Sequence, residues 1–292
     1  MDLKWQSRKA PAASPEFARE IGGGRSVTAQ VQADGDSWWS YAGFVIKVVV
    51  VVALIRVLLV SPFSIPSESM LPRLWTGDYL LLAKWPYGFS RGSLPFEATL
   101  PSGRLFAGEP EHGDVVIFKH PIDRTDYIKR VIALPGDTIA IREGQLVLNG
   151  TPVPQTRLPD FDIPVTANTS CDWGGRPALA PTGEIVCRYR RYRETLPSGR
   201  QYDVLDYGPR LSDEMPVRTI PAGQLFVLGD NRDNSRDSRF DAQRGDATGI
   251  VPQDNLVGEA LILIWSTDGS AQWSDPVSWF TAARWHRIGS VL

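Results

Sequence analysis

The sequence predicts a mostly β protein, in which an N-terminal transmembrane helix precedes an antiparallel β domain that carries an inserted smaller β lobe. Three observations predict this fold class. One long apolar run lies near the N-terminus, short apolar runs fill the rest of the chain, and turn-forming residues separate them, with 26 glycines and 23 prolines in 292 residues. Short apolar runs between turn residues are typical of antiparallel sheets.

The composition excludes several classes of protein. A hydrophobic content of 42% and a net charge of −2 exclude a disordered chain. The 31 basic residues are balanced by 33 acidic ones, so no basic excess is available to bind a nucleic acid. Two cysteines are too few for a disulfide scaffold or a cysteine-rich zinc site. We therefore expect a folded protein with no nucleic-acid partner, no metal and no cofactor.

The transmembrane helix is predicted from residues 42–60, where only Lys47 and Arg56 are charged. A helix of this length spans roughly 28 Å, which is close to the thickness of the hydrocarbon core of a bilayer. The alternative is a buried helix or strand in the core of a soluble domain. Three aromatic residues that can anchor a helix at the membrane interface precede the run: Trp38, Trp39 and Tyr41.

The segments around the apolar run indicate whether it is retained and how it is oriented in the membrane. No small-x-small cleavage site follows it, so we expect a retained single-pass anchor over 38–62. The tail at 1–37 has little apolar periodicity and is predicted to be flexible. Its basic residues favour a cytoplasmic N-terminus, which would leave the β domain on the extracytoplasmic side of the membrane.

The β domain is predicted over 63–154 and 219–292. The pair Asn149-Gly150 predicts a hairpin turn, because these residues accept a positive φ at low cost. Only residues 276–286 suggest a helix. Strands are predicted at 79–83, 115–119, 127–134, 138–141, 145–148, 225–228 and 260–265.

Residues 155–218 differ in composition from their surroundings and are predicted to form the inserted β lobe. This stretch is rich in Pro, Asp and Arg, and it contains both Cys171 and Cys187. An extracytoplasmic location would favour a disulfide between these cysteines. Two buried free thiols are the alternative.

Two segments contain residues that could perform nucleophilic chemistry. Serines lie between prolines at 64–72, a pattern that usually indicates only a turn. The chain has only three histidines, which leaves few candidate bases for a serine triad. A lysine can serve instead if burial lowers its pKa, and Lys129 lies within an apolar strand beside Arg130. The alternative is that both side chains are solvated on an edge strand.

Residues 229–240 contain alternating Asp, Asn and Arg residues. The segment resembles an acidic metal loop, but it lacks the glycine and the glutamate that a calcium-binding loop requires at its sixth and twelfth positions. We therefore expect a hydrogen-bonded loop whose charges pair with one another, and no metal.

Five segments together resemble bacterial type I signal peptidases, which are membrane-bound Ser-Lys endopeptidases. The family's motifs occur in the family's order, shortly after a membrane segment, and matching regions cover about half of the chain. The segments are IPSESMLPRL at 65–74, TGDYLLLAKWPYG at 76–88, GDVVIFKHP at 113–121, YIKRVIALPGD at 127–137 and LGDNRDNSRDSR at 228–239.

The resemblance implies a catalytic role for three residues. Ser69 would be the nucleophile, and Lys129 would be the general base that accepts its proton. The hydroxyl of Ser67 and the backbone N–H of Ser69 would form the oxyanion hole. A lysine with its ordinary pKa near 10.4 is protonated at neutral pH, so this role requires burial of the amine.

The resemblance also implies supporting residues. Ser235 would hydrogen-bond the Lys129 side chain, Asp237 and Arg239 would form a salt bridge near the site, and Tyr127 would line it. The chain departs from the family pattern at Glu68, where glycine is common. It also departs at Arg73, where threonine is common, and it shows one membrane span where many relatives have two.

The function that the resemblance implies is removal of signal peptides from exported preproteins, after small residues in an A-x-A-like site. The partners would be signal peptides and the lipid bilayer of the bacterial inner membrane, and we expect a monomer. One alternative is a dedicated Ser-Lys maturation peptidase of a conjugation or secretion system. A membrane-anchored binding domain without catalytic activity is the alternative from a different class.

Overall fold

The computed structural model describes residues 38–90, 93, 103–172 and 174–292, so the tail predicted at 1–37 lies outside the described residues. The first element is helix α1, Trp38–Leu58. Its stretch Trp38–Arg56 has a mean hydropathy of 2.0 and is the one described helix long and apolar enough to cross a membrane. None of this stretch is buried within the structure, so the alternative of a core helix is wrong.

Fifteen strands follow the helix, and their pairing is antiparallel throughout the three sheets of the described chain. The mostly β, antiparallel fold class is therefore confirmed. The strands are β1 Val60–Ser64, β2 Asp78–Ala83, β3 Val115–Lys119, β4 Asp126–Ala133, β5 Thr138–Arg142, β6 Gln145–Leu148, β7 Thr151–Pro152, β8 Gln155–Pro164, β9 Arg176–Leu179, β10 Ile185–Thr195, β11 Gln201–Leu205, β12 Met215–Thr219, β13 Gln224–Leu228, β14 Val251–Pro252 and β15 Leu256–Ser266.

The largest sheet has seven strands in the order β1-β2-β15-β3-β4-β13-β14. A four-stranded sheet has the order β12-β5-β6-β7. The predicted hairpin turn is confirmed between β6 and β7, where Asn149 and Gly150 have φ angles of 52° and 76°. In the remaining sheet, β10 lies between β8 on one side and β9 and β11 on the other.

The helix predicted at 276–286 is shorter than expected. Helix α2 covers Pro276–Thr281, and a separate 3₁₀ turn covers Trp285–Arg287. Between them, the backbone pairs with the large sheet: Ala283 bridges Thr267, and the Arg284 N–H donates to the Ser266 carbonyl. These tertiary hydrogen bonds replace the ones that would continue the helix.

Strand β4 is buried on both faces, and this determines where its charged residues lie. Ile128, Val131 and Ile132 belong to three different apolar clusters of the core. The strand lies between β3 and β13 and is therefore not an edge strand. The alternative of solvated charges on an edge strand is wrong, because Lys129 and Arg130 are only 4% and 6% exposed.

The sheet of β8–β11 packs against the segment that precedes β2. Leu71 and Trp75 form one apolar cluster with Ile163 of β8 and Tyr189 of β10. Cys187 of β10 belongs to the same cluster and is bonded to Cys171. This sheet therefore supports the short stretch of chain that contains Ser69.

The disulfide gives a testable prediction. Protein that is purified without a reductant and then denatured should titrate no free thiols, because the two cysteines of the chain are bonded to each other. Labelling with a thiol-reactive maleimide before and after reduction, read by intact mass, checks this. Two labelled thiols before reduction would contradict the bond.

Candidate active site

Ser69 lies on a short irregular segment that apolar neighbours hold in place. Met70 and Leu71 are completely buried, as is Leu74. The segment turns twice through its own backbone, because the Leu71 N–H donates to the Glu68 carbonyl and the Leu74 N–H to the Met70 carbonyl. The apolar residues fix the backbone, and the Ser69 side chain is left facing β4.

The side chains of Ser69 and Lys129 meet directly. The Lys129 Nζ donates a hydrogen bond of 2.7 Å to the Ser69 Oγ, and a second of 3.1 Å to the Ile128 carbonyl. Ser69 is 8% exposed. The structure therefore brings together the two residues for which the sequence suggested nucleophile and base.

Burial changes the acidity of the Lys129 amine. Removal from water lowers its pKa to about 8, and the positive charge of Arg239 acts in the same direction. The carboxylates of Asp237 and Asp230 oppose this shift. With a pKa near 8, about a tenth of the amine is neutral at pH 7, whereas an ordinary lysine is almost entirely charged.

Ser67 lies beside the pair. Its Oγ is 3.4 Å from the Ser69 Oγ. Among the described residues, no backbone carbonyl accepts a hydrogen bond from the Ser69 N–H. Two potential donors therefore lie near the Ser69 hydroxyl, which is the number that an oxyanion hole typically provides.

The loop at 228–239 supports the site through Asp237. This carboxylate is completely buried, accepts from the Arg239 Nε at 2.8 Å and accepts from the Gly229 N–H at 3.1 Å. Burial opposes ionisation of Asp237, but the charge and hydrogen bonds of Arg239 outweigh it and lower its pKa. Asp237 and Arg239 thus form a buried ion pair whose carboxylate is ionised.

Ser235 lies near this pair, but its hydroxyl does not bind Lys129. The Ser235 Oγ is buried and lies on the side of Asp237, whose pKa it helps to lower, whereas the Lys129 Nζ donates to Ser69 and Ile128. The expected Ser235–Lys129 hydrogen bond is therefore not formed in this structure. Tyr127 does lie beside the site, with its ring centre 5.9 Å from the Lys129 Nζ.

The sequence reasoning did not identify two residues of this loop that hold the Ser69 segment. The Asn231 N–H donates to the Ser69 carbonyl at 3.0 Å, and its Nδ2 donates to the Glu68 carbonyl at 3.1 Å. Gly229 packs so closely that a Cβ atom there would lie 2.5 Å from the Ser69 carbonyl oxygen. Both residues lie within the LGDN motif, but the motif alone does not show that they contact Ser69.

The charges of the loop pair mainly with residues outside it, contrary to the expectation of self-pairing. Asp230 binds Arg130 of β4 through two hydrogen bonds of 2.8 and 2.6 Å. Arg232 binds Glu194 of β10 in the same bidentate way. All four groups are buried, and a buried charge requires a partner on whichever element packs against it.

A cleft of about 430 Å³ opens beside Ser69. Glu68 borders it, and burial raises the pKa of its carboxyl. Arg73, the other departure from the family pattern, lies away from this cleft and donates to the Val291 carbonyl. The described residues contain no cluster of histidine, cysteine and acidic side chains that could hold a metal ion. The cleft is lined mainly by small polar side chains, among them Ser67, Thr76, Thr169, Ser170 and Asn234.

Comparisons with known proteins agree on one family. The model of the family described as signal peptidase, peptidase S26, matches residues 38–265. Signal peptidase I of Rickettsia akari is 34% identical over 240 residues, covering 79% of this chain and 79% of the relative. Signal peptidase I of Rickettsia conorii is 32% identical over 271 residues, covering 86% and 90%. A crystal structure of a signal peptidase I from Enterococcus faecalis is 24% identical and covers 52% of this chain and 96% of its own, with a TM-score of 0.27.

The buried pair of Arg130 and Asp230 gives a testable prediction. Arg130→Ala should lower the free energy of unfolding by about 3–5 kcal/mol, because it leaves the Asp230 carboxylate buried without its partner. Urea denaturation of the detergent-solubilised protein, followed by tryptophan fluorescence, measures the change.

Arg188→Ala is the matched control. Arg188 also forms a bidentate pair, with Asp162, but both side chains are about one-third exposed. Water can solvate Asp162 after the substitution, so the unfolding midpoint should change little. Equal losses of unfolding free energy in the two variants would show that burial does not increase the contribution of the Arg130–Asp230 pair to stability.

Proposed function

The chain belongs to the signal peptidase family, peptidase S26, and from this we propose that it is a membrane-anchored serine endopeptidase that removes signal peptides from exported preproteins. The observation that carries the proposal is the 2.7 Å contact between the Ser69 Oγ and a buried Lys129 amine. Burial is what an amine needs to be neutral and to act as a general base at moderate pH.

In the proposed mechanism, the neutral Lys129 amine accepts the proton of the Ser69 hydroxyl. The Ser69 Oγ attacks the scissile carbonyl, and the resulting oxyanion accepts hydrogen bonds from the Ser69 N–H and the Ser67 hydroxyl. The Lys129 ammonium then donates its proton to the leaving amine, which breaks the peptide bond and leaves an acyl-enzyme. The neutral amine then takes a proton from water, which attacks the ester carbonyl. As the bond between the carbonyl carbon and the Ser69 Oγ breaks, the Lys129 ammonium returns this proton to the Oγ, which releases the acid and restores Ser69.

The substrate would bind as an extended strand beside Ser69, because main-chain hydrogen bonds give affinity without requiring a particular sequence. The family resemblance implies cleavage after small residues in an A-x-A-like pattern. Helix α1 supports an anchored enzyme, since an anchor keeps the site at the membrane surface and raises the effective concentration of membrane-bound preproteins. We propose the bacterial inner membrane, with Ser69 on its extracytoplasmic side, where disulfides form.

The Ser-Lys mechanism predicts which substitutions abolish cleavage. Ser69→Ala and Lys129→Ala should each reduce cleavage of a purified preprotein by at least about 10³-fold. Lys129→Arg should be equally inactive, because a guanidinium stays charged at every accessible pH. Mass spectrometry of the new N-terminus measures cleavage, and its position separates a general signal peptidase from a dedicated maturase.

The controls are Ser198→Ala and Lys119→Ala, which alter a serine and a lysine that do not line the Ser69 cleft. Both should cleave as the unmodified enzyme does. Full activity in Lys129→Arg would refute the general-base assignment. Absence of cleavage by the unmodified enzyme would favour a binding domain without catalytic activity.

The lowered pKa of Lys129 predicts the pH dependence of the reaction. The base must be neutral, so kcat/KM should rise with pH through about 8 and level off above it, as far as the protein stays folded. Below this range the amine is protonated, and the rate should fall about tenfold per pH unit. Initial rates on an internally quenched peptide between pH 5 and pH 10 measure the profile, and a maximum near pH 5 would contradict it.

A further inference from the structure

The cleft beside Ser69 contains an acidic group that the proposed mechanism does not use. Of the described residues that line it, Glu68 is the one with an acidic or basic side chain. The other lining residues are small polar residues, proline and alanine. No lysine or arginine among the described lining residues neutralises this carboxylate.

The Glu68 carboxylate is poorly satisfied within the protein. Its Oε2 is buried and makes no hydrogen bond to a described residue. Burial raises the pKa of the carboxyl, the charge of Asp172 raises it further, and only the Ser170 N–H opposes the shift. A buried acceptor without a donor costs free energy, which leaves this carboxylate incompletely stabilised by the protein itself.

The backbone around Glu68 is held in one position. Its carbonyl accepts from the Asn231 Nδ2, and the next carbonyl, that of Ser69, accepts from the Asn231 N–H. The Asn231 side chain is itself fixed by a hydrogen bond from the Tyr207 hydroxyl to its Oδ1. The acidic group is therefore presented beside the nucleophile by a rigid backbone, which favours specific binding.

We propose that Glu68 is a specificity-determining residue that binds a cationic side chain of the substrate next to the scissile bond. The inference rests on the proposed function and deepens it: the enzyme prefers preproteins with a lysine or arginine close to the cleavage site over those with an acid there. Asp172 lies close enough to act on the Glu68 carboxyl, so a second acidic group adds to the attraction of a cation towards Glu68.

The strand-like binding mode makes the effect specific for position. Successive side chains of an extended peptide point in opposite directions. A basic residue can therefore reach Glu68 from one position, or from two positions separated by one residue, and its immediate neighbours should be insensitive to charge.

The test uses the full-length enzyme in detergent and internally quenched peptides based on a preprotein that it cleaves. Four peptide positions are varied one at a time: the two before the scissile bond and the two after it. Each carries lysine, alanine or glutamate in turn. At one position, kcat/KM should be at least about tenfold higher for lysine than for glutamate. The ratio should fall as the salt concentration rises.

Glu68→Gln keeps the size of the side chain and removes its charge, so the ratio of lysine to glutamate peptides should fall to near one while the alanine peptide is still cleaved. Glu109→Gln is the matched control, since Glu109 is exposed and does not line the cleft, and it should keep the ratio of the unmodified enzyme.

Two results would overturn the inference: an unmodified enzyme with no preference for lysine at any of the positions, or a Glu68→Gln variant that keeps the preference. The first needs no variant, so it decides the question even if the substitution impairs folding. Failure of the unmodified enzyme to cleave any preprotein would instead refute the proposed function.

Discussion

Burial of Lys129 in a central strand that is covered on both faces is the constraint on which the rest of the site depends. The amine of Lys129 has a lowered pKa because β4 lies inside the large sheet and apolar clusters cover both of its faces. A buried amine also needs hydrogen-bond acceptors, and it finds them in the Ser69 hydroxyl and the Ile128 carbonyl. The same burial that makes the lysine a better base therefore also orients it towards the nucleophile.

The nucleophile reaches the lysine because two other parts of the chain hold its segment. Asn231 binds the carbonyls of Glu68 and Ser69 from one side, and the close approach of Gly229 leaves no room for a side chain there. From the other side, Leu71 packs in the apolar cluster that contains Ile163 and Cys187. The sheet of β8–β11 thus has a structural role at the site, although Ser69 and Lys129 both belong to other parts of the sequence.

Much of this arrangement could be predicted from local sequence patterns. Strands β3 and β6 have the predicted ends, and the Asn149-Gly150 turn follows from the φ preferences of the two residues. Tertiary hydrogen bonds could not be predicted: they end helix α2 early, and they join Asn231 to the Ser69 segment. Alternation along β4 indicated that Lys129 and Arg130 point in opposite directions, but it could not show that both are buried, because β4 was not known to be an interior strand.

Neighbouring residues of β4 show how pairing sets the charge of a buried group. Burial opposes the charge of Arg130, but Asp230 offers two hydrogen bonds and a full negative charge, so the pKa of Arg130 is raised. Lys129 is equally buried, yet no described carboxylate lies within salt-bridge distance of it, so desolvation prevails and its pKa falls. Asp230 and Asp237 act on Lys129 only from a distance, because Arg130 and Arg239 bind their oxygens. The two arginines thus occupy the carboxylates that would otherwise keep the lysine protonated. On this reasoning, the ion pairs of the 228–239 loop stabilise the fold and also allow the amine to become neutral.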